Sequence, residues 1–284
     1  MATLRTIKKR IKSAGNIQQI TKAMKMVSAA KLRKSQDRIL MARPYSAKIA
    51  EVIDELIVNV KPEKGTYPLL QENKGVKKEA LVLITADKGL CGSFNTNLVK
   101  DAMLKYKENP DMSLYIVGKK GLDAFKKLNL EIEKFKFNDK NISWIDVEEI
   151  SGIILKNYIA GKYSKVTVIF SEFQTSLMQK IVRKQLVPVV FESKGAATAR
   201  DFLYEPGETE VLNALLLRFV KTQLYRAVLE SQTAEQGVRM VSMEMATNNA
   251  KDMIRSLTLL ANKTRQAQIT KEILEIVSGA EAIK

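Results

Sequence analysis

The sequence predicts a central α/β domain flanked by two long terminal helices that pair as an antiparallel coiled coil. Three observations support this fold class. Helix-breaking residues are rare at both ends, since only Gly15 precedes Pro44 and no proline follows Pro206. Both ends carry apolar residues at helical spacing. Between them, short apolar runs alternate with helical patterns, which is typical of a mainly parallel sheet.

The N-terminal helix is predicted over residues 1–60. Its apolar residues recur mostly at steps of three and four, which predicts a single buried stripe. They are Leu4, Ile7, Ile11, Ala14, Ile17, Ile20, Met24 and Val27. We expect Pro44 to kink this helix or to start a new one, because proline cannot donate the backbone hydrogen bond. A turn-rich linker is predicted at 61–78.

The C-terminal helix is predicted over residues 209–284. A helix of this length reaches about 100 Å, which is too long for one small core to cover, so it must pair with another helix or enter a partner. Its apolar stripe is interrupted between Met245 and Met253 by residues such as Asn248 and Asn249. Either the pairing is irregular there, or this stretch faces something other than its mate.

The middle of the chain, residues 79–192, predicts a Rossmann-like domain, followed by a loop at 193–208. Strands are expected at 80–85, 113–117, 130–137, 166–170 and 177–186, and helices at 95–107, 118–128 and 144–158. The last two strands have little sequence between them. We therefore expect them to form an antiparallel hairpin at one edge of the sheet.

Composition excludes several classes of site. The chain of 284 residues has no histidine and one cysteine, Cys91. Histidine-dependent catalysis, histidine-ligated zinc, cysteine-cluster metal sites and intrachain disulfides are thereby excluded. No apolar run is long enough to span a membrane, and the first residues lack the apolar stretch of a signal peptide.

The positive charge is concentrated at the N-terminal end. The formal net charge is +16, and the first fifty residues hold thirteen Lys or Arg but one acidic residue, Asp37. This pattern fits an acidic protein collar, an anionic membrane surface, nucleic acid, or simply a solvated helix face. Tyr45 is the only aromatic residue among the first sixty, so this segment has few side chains that could stack on nucleic-acid bases. A nucleic-acid-binding protein with a basic arm remains the main alternative.

A glycine loop follows the first central strand and could cradle a phosphate, as in an enzyme. Its spacing, Gly89-x-x-Gly92, matches neither a dinucleotide fingerprint nor a Walker loop. We interpret the loop as a tight turn capped by Ser93 or Asn95. Cys91 has no activating partner, so we expect it to be a packed small residue.

Asp87 with Lys88 could form an acid/base pair, and Glu148 and Glu149 are adjacent carboxylates. We interpret both pairs as ordinary surface or turn residues. The tail at residues 273–283 differs from most chain ends because it is strongly apolar. An apolar end on a long helix predicts insertion into a sleeve formed by a partner.

Four sets of motifs resemble those of ATP synthase gamma subunits, in the same order along the whole chain. They are ITKAMKMV at 20–27 with AKLRK at 30–34 and RPY at 43–45; TADKGLCGSFN at 85–95; EQ at 235–236 with RMVSM at 239–243 and ATNNA at 246–250; and NKTRQAQITKEI at 262–273 with EIVSGA at 275–280.

The resemblance implies a non-catalytic rotor shaft of a proton-transporting ATP synthase. In this family the coiled coil turns inside a ring of three alpha and three beta subunits, and the α/β domain sits with an epsilon subunit on the membrane c-ring. Ion flow turns the shaft, which drives the catalytic sites of beta through different affinities. The resemblance implies no catalytic residue, cofactor, metal or nucleic acid for this chain, and contact with the membrane only through the c-ring.

The resemblance also implies roles for particular residues. Contacts with beta subunits are expected at Met24, Lys25, Arg265, Gln266, Thr270 and Glu272; a foot near the c-ring and epsilon at Tyr204 and Glu205; and a bearing tip at Ile273, Ile276 and Val277. The single cysteine argues against the plant-type form with its redox insert, and the start of the chain lacks a mitochondrial presequence. A bacterial subunit on the cytoplasmic side of the plasma membrane is therefore expected.

Overall fold

The computed structural model describes residues 3–59, 66–128, 130, 132–136, 142–176, 178–190 and 204–282. They form five helices and five strands within these ranges. In chain order these are α1 (Leu4–Asn59), β1 (Glu79–Ile84), α2 (Phe94–Glu108), β2 (Ser113–Val117), α3 (Lys119–Lys126), β3 (Ile132–Lys136), α4 (Trp144–Ile159), β4 (Lys165–Phe173), β5 (Gln179–Val187) and α5 (Glu208–Ala282). The predicted fold class is confirmed.

The chain divides into two compact units. One unit, here called the helical unit, contains the N-terminal part of α1 up to Ala29 and α5 from Arg239 onward. The other, the α/β unit, runs from Ala30 to Val238 and contains the sheet together with the adjoining halves of both long helices. The predicted domain boundaries at residues 60, 78, 192 and 208 stay a prediction. They follow the ends of the terminal helices, whereas the two units are defined by compactness.

The sheet has the order β3-β2-β1-β4-β5. Strands β1, β2, β3 and β4 are parallel, whereas β5 runs antiparallel to β4 at the edge. The expected edge hairpin is therefore confirmed. The central strand β1 is buried from Ala80 to Ile84, as the unbroken apolar run of the sequence predicts for a strand covered on both faces.

Alternate residues of β1 face two separate cores. Val82 and Ile84 pack in a large core with α4 and the α/β-unit halves of both long helices. Leu81 and Leu83 face a smaller core formed with α2 and α3. The period of two along the strand thus distributes helices on both sides of the sheet.

Helix α1 continues without interruption through Pro44. The sequence-based expectation of a second helix starting there is wrong. Pro44 is exposed, and buried residues continue at helical spacing on either side of it, at Ile39, Ile49 and Ile53. Packing of this face against the large core holds the helix together, which compensates for one missing backbone hydrogen bond.

Part of the predicted linker packs into the α/β unit. Tyr67 and Leu69 are almost fully buried, and the carbonyl of Leu69 accepts a hydrogen bond of 2.8 Å from the amide of Val189. The first residues of the linker, 61–65, and most of the predicted foot loop, 193–203, lie outside the described residues.

Candidate partner-binding surfaces on the terminal helices

In the helical unit, α1 and α5 run antiparallel. The hydroxyl oxygens of Thr21 and Thr247 lie 2.8 Å apart, and Lys25 Nζ lies 2.5 Å from Glu244 Oε1. As the residue number rises along α1 from Thr21 to Lys25, that of its partner on α5 falls from Thr247 to Glu244. The coiled coil predicted from the apolar patterns is present in this unit.

The seam of this coiled coil is narrower than the stripe predicted for α1. Ile7 and Ala14 are buried as expected, but Ile17, Ile20 and Val27 are 52%, 59% and 56% exposed. Their places in the seam are taken by two polar residues, Thr21 and Ser28. The predicted single stripe is wrong in this respect, because burial follows a seven-residue repeat from Ile7 while the apolar residues drift away from it.

On α5 the seam passes straight through the polar interruption noted in the sequence. Buried or half-buried residues continue at steps of three and four. They are Met243, Thr247, Ala250, Ile254, Leu257 and Ala261. Asn248 and Asn249 are exposed, as is Met245, which the sequence placed in the stripe. The first alternative, irregular pairing, is wrong: the seam continues through Thr247, which contacts Thr21 of α1, whereas Asn248 and Asn249 are exposed. The second alternative, that this stretch faces something other than its mate, stays a prediction.

The side chains of Met24 and Lys25 are half-buried on α1. Lys25 is held by Glu244 of α5, a partner that the sequence did not predict. Because both side chains are partly exposed, at 37% and 48%, the ion pair contributes little net stability. A carboxylate of another protein could therefore replace Glu244 at low cost.

Beyond Ala261, the surface of α5 changes character. Among residues 262–279, Thr264 is half-buried and all other side chains are exposed. This stretch carries all the remaining contact residues predicted on α5, namely Arg265, Gln266, Thr270, Glu272, Ile273, Ile276 and Val277. The apolar residues among them are exposed as well; Ile276, for example, is 71% exposed.

The predicted contacts with beta subunits thus fall on two surfaces. Lys25 lies beside Glu244, whereas Arg265 lies 21 positions further along α5, or about 30 Å at the helical rise. The predicted foot residues belong to the other unit. Tyr204 is half-buried against the large core, and Glu205 is exposed just before α5 begins.

Side chains of the glycine loop make hydrogen bonds within the α/β unit. Asp87 Oδ1 accepts the amide of Lys119 at 2.7 Å, and Asn95 Oδ1 accepts the amide of Ala86 at 2.9 Å. Cys91 is buried in the smaller core, as expected. The capping role proposed for Ser93 is wrong: it precedes α2, but its side chain accepts no helix amide.

The two carboxylates Glu148 and Glu149 bind lysines. Glu148 lies 2.7 Å from Lys221, and Glu149 bridges Lys134 and Lys136. Hydrogen bonding to Lys221 lowers the pKa of Glu148, and hydrogen bonding to Lys136 lowers that of Glu149. Both therefore remain charged at neutral pH and act as surface ion pairs.

Among the described residues, no group of three or more acidic or cysteine side chains could hold a metal ion. No helix in the described part of the chain is long and apolar enough to cross a membrane.

Comparison with known proteins gives a consistent result. A family model described as ATP synthase matches residues 3–283. The ATP synthase gamma chains of Heliobacterium modesticaldum and Chlorobium limicola are 42% and 40% identical to this chain, each match covering 100% of both proteins.

Two solved structures have a similar fold. A chain of the Euglena gracilis mitochondrial ATP synthase, solved with OSCP, F1 and the c-ring, has a TM-score of 0.71 and 22% identity, covering 99% of this chain and 94% of that one. A chain of the Tetrahymena thermophila central stalk and c-ring has a TM-score of 0.61 and 24% identity, covering 80% and 99%. The fold is therefore that of ATP synthase central stalks.

This fold class and the whole-length sequence matches together decide the family. The chain belongs to the ATP synthase gamma-chain family.

Proposed function

We propose that the chain is the non-catalytic central rotor subunit of an ATP synthase. It couples ion flow through the membrane c-ring to ATP synthesis or hydrolysis at the catalytic sites of beta, by rotation of its asymmetric coiled coil. The observation that carries this proposal is the exposed stretch of α5 at residues 262–279, where every described side chain except that of Thr264 is exposed, the apolar ones included. A single helix of this kind is marginally stable in water unless a partner surrounds it.

The partners follow from the family. Three alpha and three beta subunits would surround the shaft, with beta meeting Met24, Lys25, Arg265, Gln266, Thr270 and Glu272. Ile273, Ile276 and Val277 would form the tip in its bearing. Tyr204 and Glu205 would lie near epsilon and the c-ring. The complex would sit on the cytoplasmic side of a bacterial plasma membrane, with the membrane contact made by the c-ring.

The glycine loop supports a non-catalytic role. In that loop, Asp87 and Asn95 each accept a backbone amide, and Cys91 is buried in the smaller core. ATP chemistry would then belong to beta, and this chain would act through contact alone.

Purification of a tagged chain from its host membrane, followed by native mass spectrometry, tests the assembly. One copy of the chain with three copies each of two larger subunits is the expected result. A lone chain, or one carrying nucleic acid in a salt-dependent manner, would overturn the proposal and favour the basic arm as a nucleic-acid-binding element.

Substitution on the exposed helix tests the coupling role. Arg265→Ala and Gln266→Ala should each lower ATP-driven ion pumping of the assembled complex at least about threefold, while the melting temperature of the isolated chain stays unchanged, because both side chains are exposed. Lys251→Ala, at an exposed position of the paired stretch, is the matched control. Equal losses of assembly and pumping would contradict a contact role.

A further inference from the structure

We infer that a polar cluster in the α/β unit anchors α1 to α5, so that torque applied to the α/β unit enters both helices together. This cluster, the helix anchor, consists of Arg43, Tyr45 and Ser46 of α1 with Arg218, Gln223 and Glu230 of α5. The inference rests on the proposed rotor function and assigns positioning residues to it. It also gives a role to the RPY motif, which the contacts with other subunits leave unexplained.

Three nearly consecutive residues of α1 each reach a different residue of α5. Arg43 Nη2 lies 3.6 Å from Glu230 Oε1. Arg218 Nε donates a hydrogen bond of 3.0 Å to the Tyr45 hydroxyl. Gln223 Nε2 donates one of 3.3 Å to Ser46 Oγ.

These contacts spread along α5 more widely than along α1. Arg218 and Glu230 are twelve positions apart, or about 18 Å of helix, whereas Arg43 and Ser46 are less than one turn apart. Arg43 of α1, together with Arg218 and Gln223 of α5, thus connects one short segment of α1 to a longer stretch of α5. Such an arrangement resists sliding of one helix past the other in both directions.

Glu230 is the buried charged residue of this cluster. Its side chain is 2% exposed, and Oε2 accepts the backbone amide of Phe173 at 3.3 Å. Arg226 Nε, on the same helix, lies 3.8 Å from Oε1. Arg43, whose side chain is 51% exposed, and Arg226 both lie within ion-pair distance of Oε1 but beyond hydrogen-bond distance. A buried carboxylate is costly unless it is paired, so the charge of Arg43 attracts α1 to this point of α5.

The anchor also joins the helices to the rest of the α/β unit. Lys184 of β5 donates a hydrogen bond of 2.7 Å to Gln223 Oε1. The Arg218 guanidinium lies over the rings of Trp144 and Tyr45, at 4.7 and 5.9 Å from their centroids. The same α5 residues that hold α1 therefore also contact α4 and the edge strand.

Directional contacts are suited to this purpose. Apolar side chains pack in more than one register, because the hydrophobic effect has no direction. Polar contacts between specific partners favour one register, as single polar residues do in coiled coils, and the contact between Gln223 and Ser46 is buried. A shaft under rotational load needs such a fixed register where the force enters, since slippage of α1 against α5 would dissipate it.

The test uses the assembled complex in membrane vesicles and compares ATP-driven ion pumping with ATP hydrolysis. Glu230→Gln keeps the shape and the amide acceptor but removes the charge. We expect the ratio of pumping to hydrolysis to fall at least about threefold, with assembly within twofold of wild type. Arg43→Ala should act in the same direction, and Arg43→Lys, which retains the positive charge, should restore at least half of the ratio. Arg33→Ala, exposed on the same helix, should change nothing.

Hydrogen exchange on the full-length chain provides a second readout, because Glu230→Gln could impair assembly. Arg43→Ala should raise the exchange of amides at 40–48 about tenfold and leave those at 4–14 unchanged. Unchanged exchange at 40–48, or wild-type pumping ratios in both assembled variants, would overturn the anchor. Failure of the wild-type chain to assemble would instead overturn the rotor function, while the exchange result would still decide whether the anchor holds α1.

Discussion

At the scale of single residues, the turn between β2 and α3 shows how a chain position can accept only glycine. Gly118 has a φ of +106°, and a Cβ placed there would lie 2.1 Å from the backbone oxygen of Thr85. We expect Gly118→Ala to destabilise the fold by about 2–4 kcal/mol, since both the backbone conformation and the contact forbid a side chain.

Urea unfolding of the full chain would measure this loss. Gly152→Ala is the matched control, because it lies inside α4 with nothing within 4 Å of the added Cβ, so its effect should be neutral or stabilising by up to about 1 kcal/mol. Similar losses for both variants would show that the close approach to Thr85 is not the cause.

A capping box at the N-terminus of α4 makes the free energy of unfolding depend on pH. Ser143 and Asp146 form a reciprocal capping box, and Lys136 lies 2.9 Å from Asp146. Hydrogen bonds from Lys136 and Ser143 lower the pKa of Asp146 to about 2. Because this folded-state pKa lies below the unfolded value, the stabilisation is present above about pH 4 and is lost as the pH falls toward 2.

Asp146→Asn therefore should destabilise the chain at pH 7 by about 1 kcal/mol, the usual worth of a cap, and by less as the pH falls below 4. Unfolding free energies of wild type and variant at pH 7 and pH 3 provide the measurement. A difference that stays constant between these two pH values would mean that the charge of Asp146 does not contribute.

On the helical unit, the ion pair of Lys25 and Glu244 should be weak and sensitive to salt. We expect a double-mutant cycle with Lys25→Met and Glu244→Gln to give a coupling energy below about 1 kcal/mol, disappearing in 1 M salt, because both side chains are partly exposed. A coupling energy that persists in salt would contradict easy exchange of Glu244 for a carboxylate of another subunit.

At the scale of elements, the strands and helices of the central domain were predictable from local patterns. A short apolar run between turns, such as residues 80–85, predicts a buried strand. All five strands occur where they were expected. The seam of the coiled coil was less predictable. Ile17, Ile20 and Val27 fit a helical stripe by spacing, yet only the partner helix determines which face becomes the seam.

The glycine loop shows the same limit. Its residues could be recognised as a turn, but the partner of Asp87 lies 32 positions away, at Lys119. Likewise, nothing local to Lys25 indicates Glu244, which is 219 positions away. Contacts of this separation are set by the tertiary fold, so a single sequence carries no signal for them.

The corrected seam leads to a prediction on α1. Ile7→Ala should cost about 2–4 kcal/mol, because Ile7 is 2% exposed, whereas Ile20→Ala should cost less than about 1 kcal/mol. Thermal or urea unfolding of the two variants makes a matched comparison of the same substitution on the same helix. Equal costs would restore the single stripe that the spacing first indicated.

At the scale of the whole molecule, the exposed end of α5 separates folding from function. A variant that ends at Gln266 lacks the apolar tail but keeps every buried residue of the seam, of which Ala261 is the last. We expect its unfolding free energy to match that of the full chain within about 1 kcal/mol, since the removed side chains that are described make no buried contact.

Under the proposed rotor function, the same variant should lose coupling in the assembled complex, because the tail carries residues proposed to contact the surrounding subunits. Ion pumping should fall at least about tenfold, whereas a variant that ends at Asn249, and so loses Ala250 and Ala261 from the seam, should also unfold more easily. Circular dichroism on urea titration and pumping in vesicles measure the two effects separately. If the variant that ends at Gln266 is destabilised as much as the variant that ends at Asn249, the tail stabilises its own chain, which would contradict a role in binding another subunit.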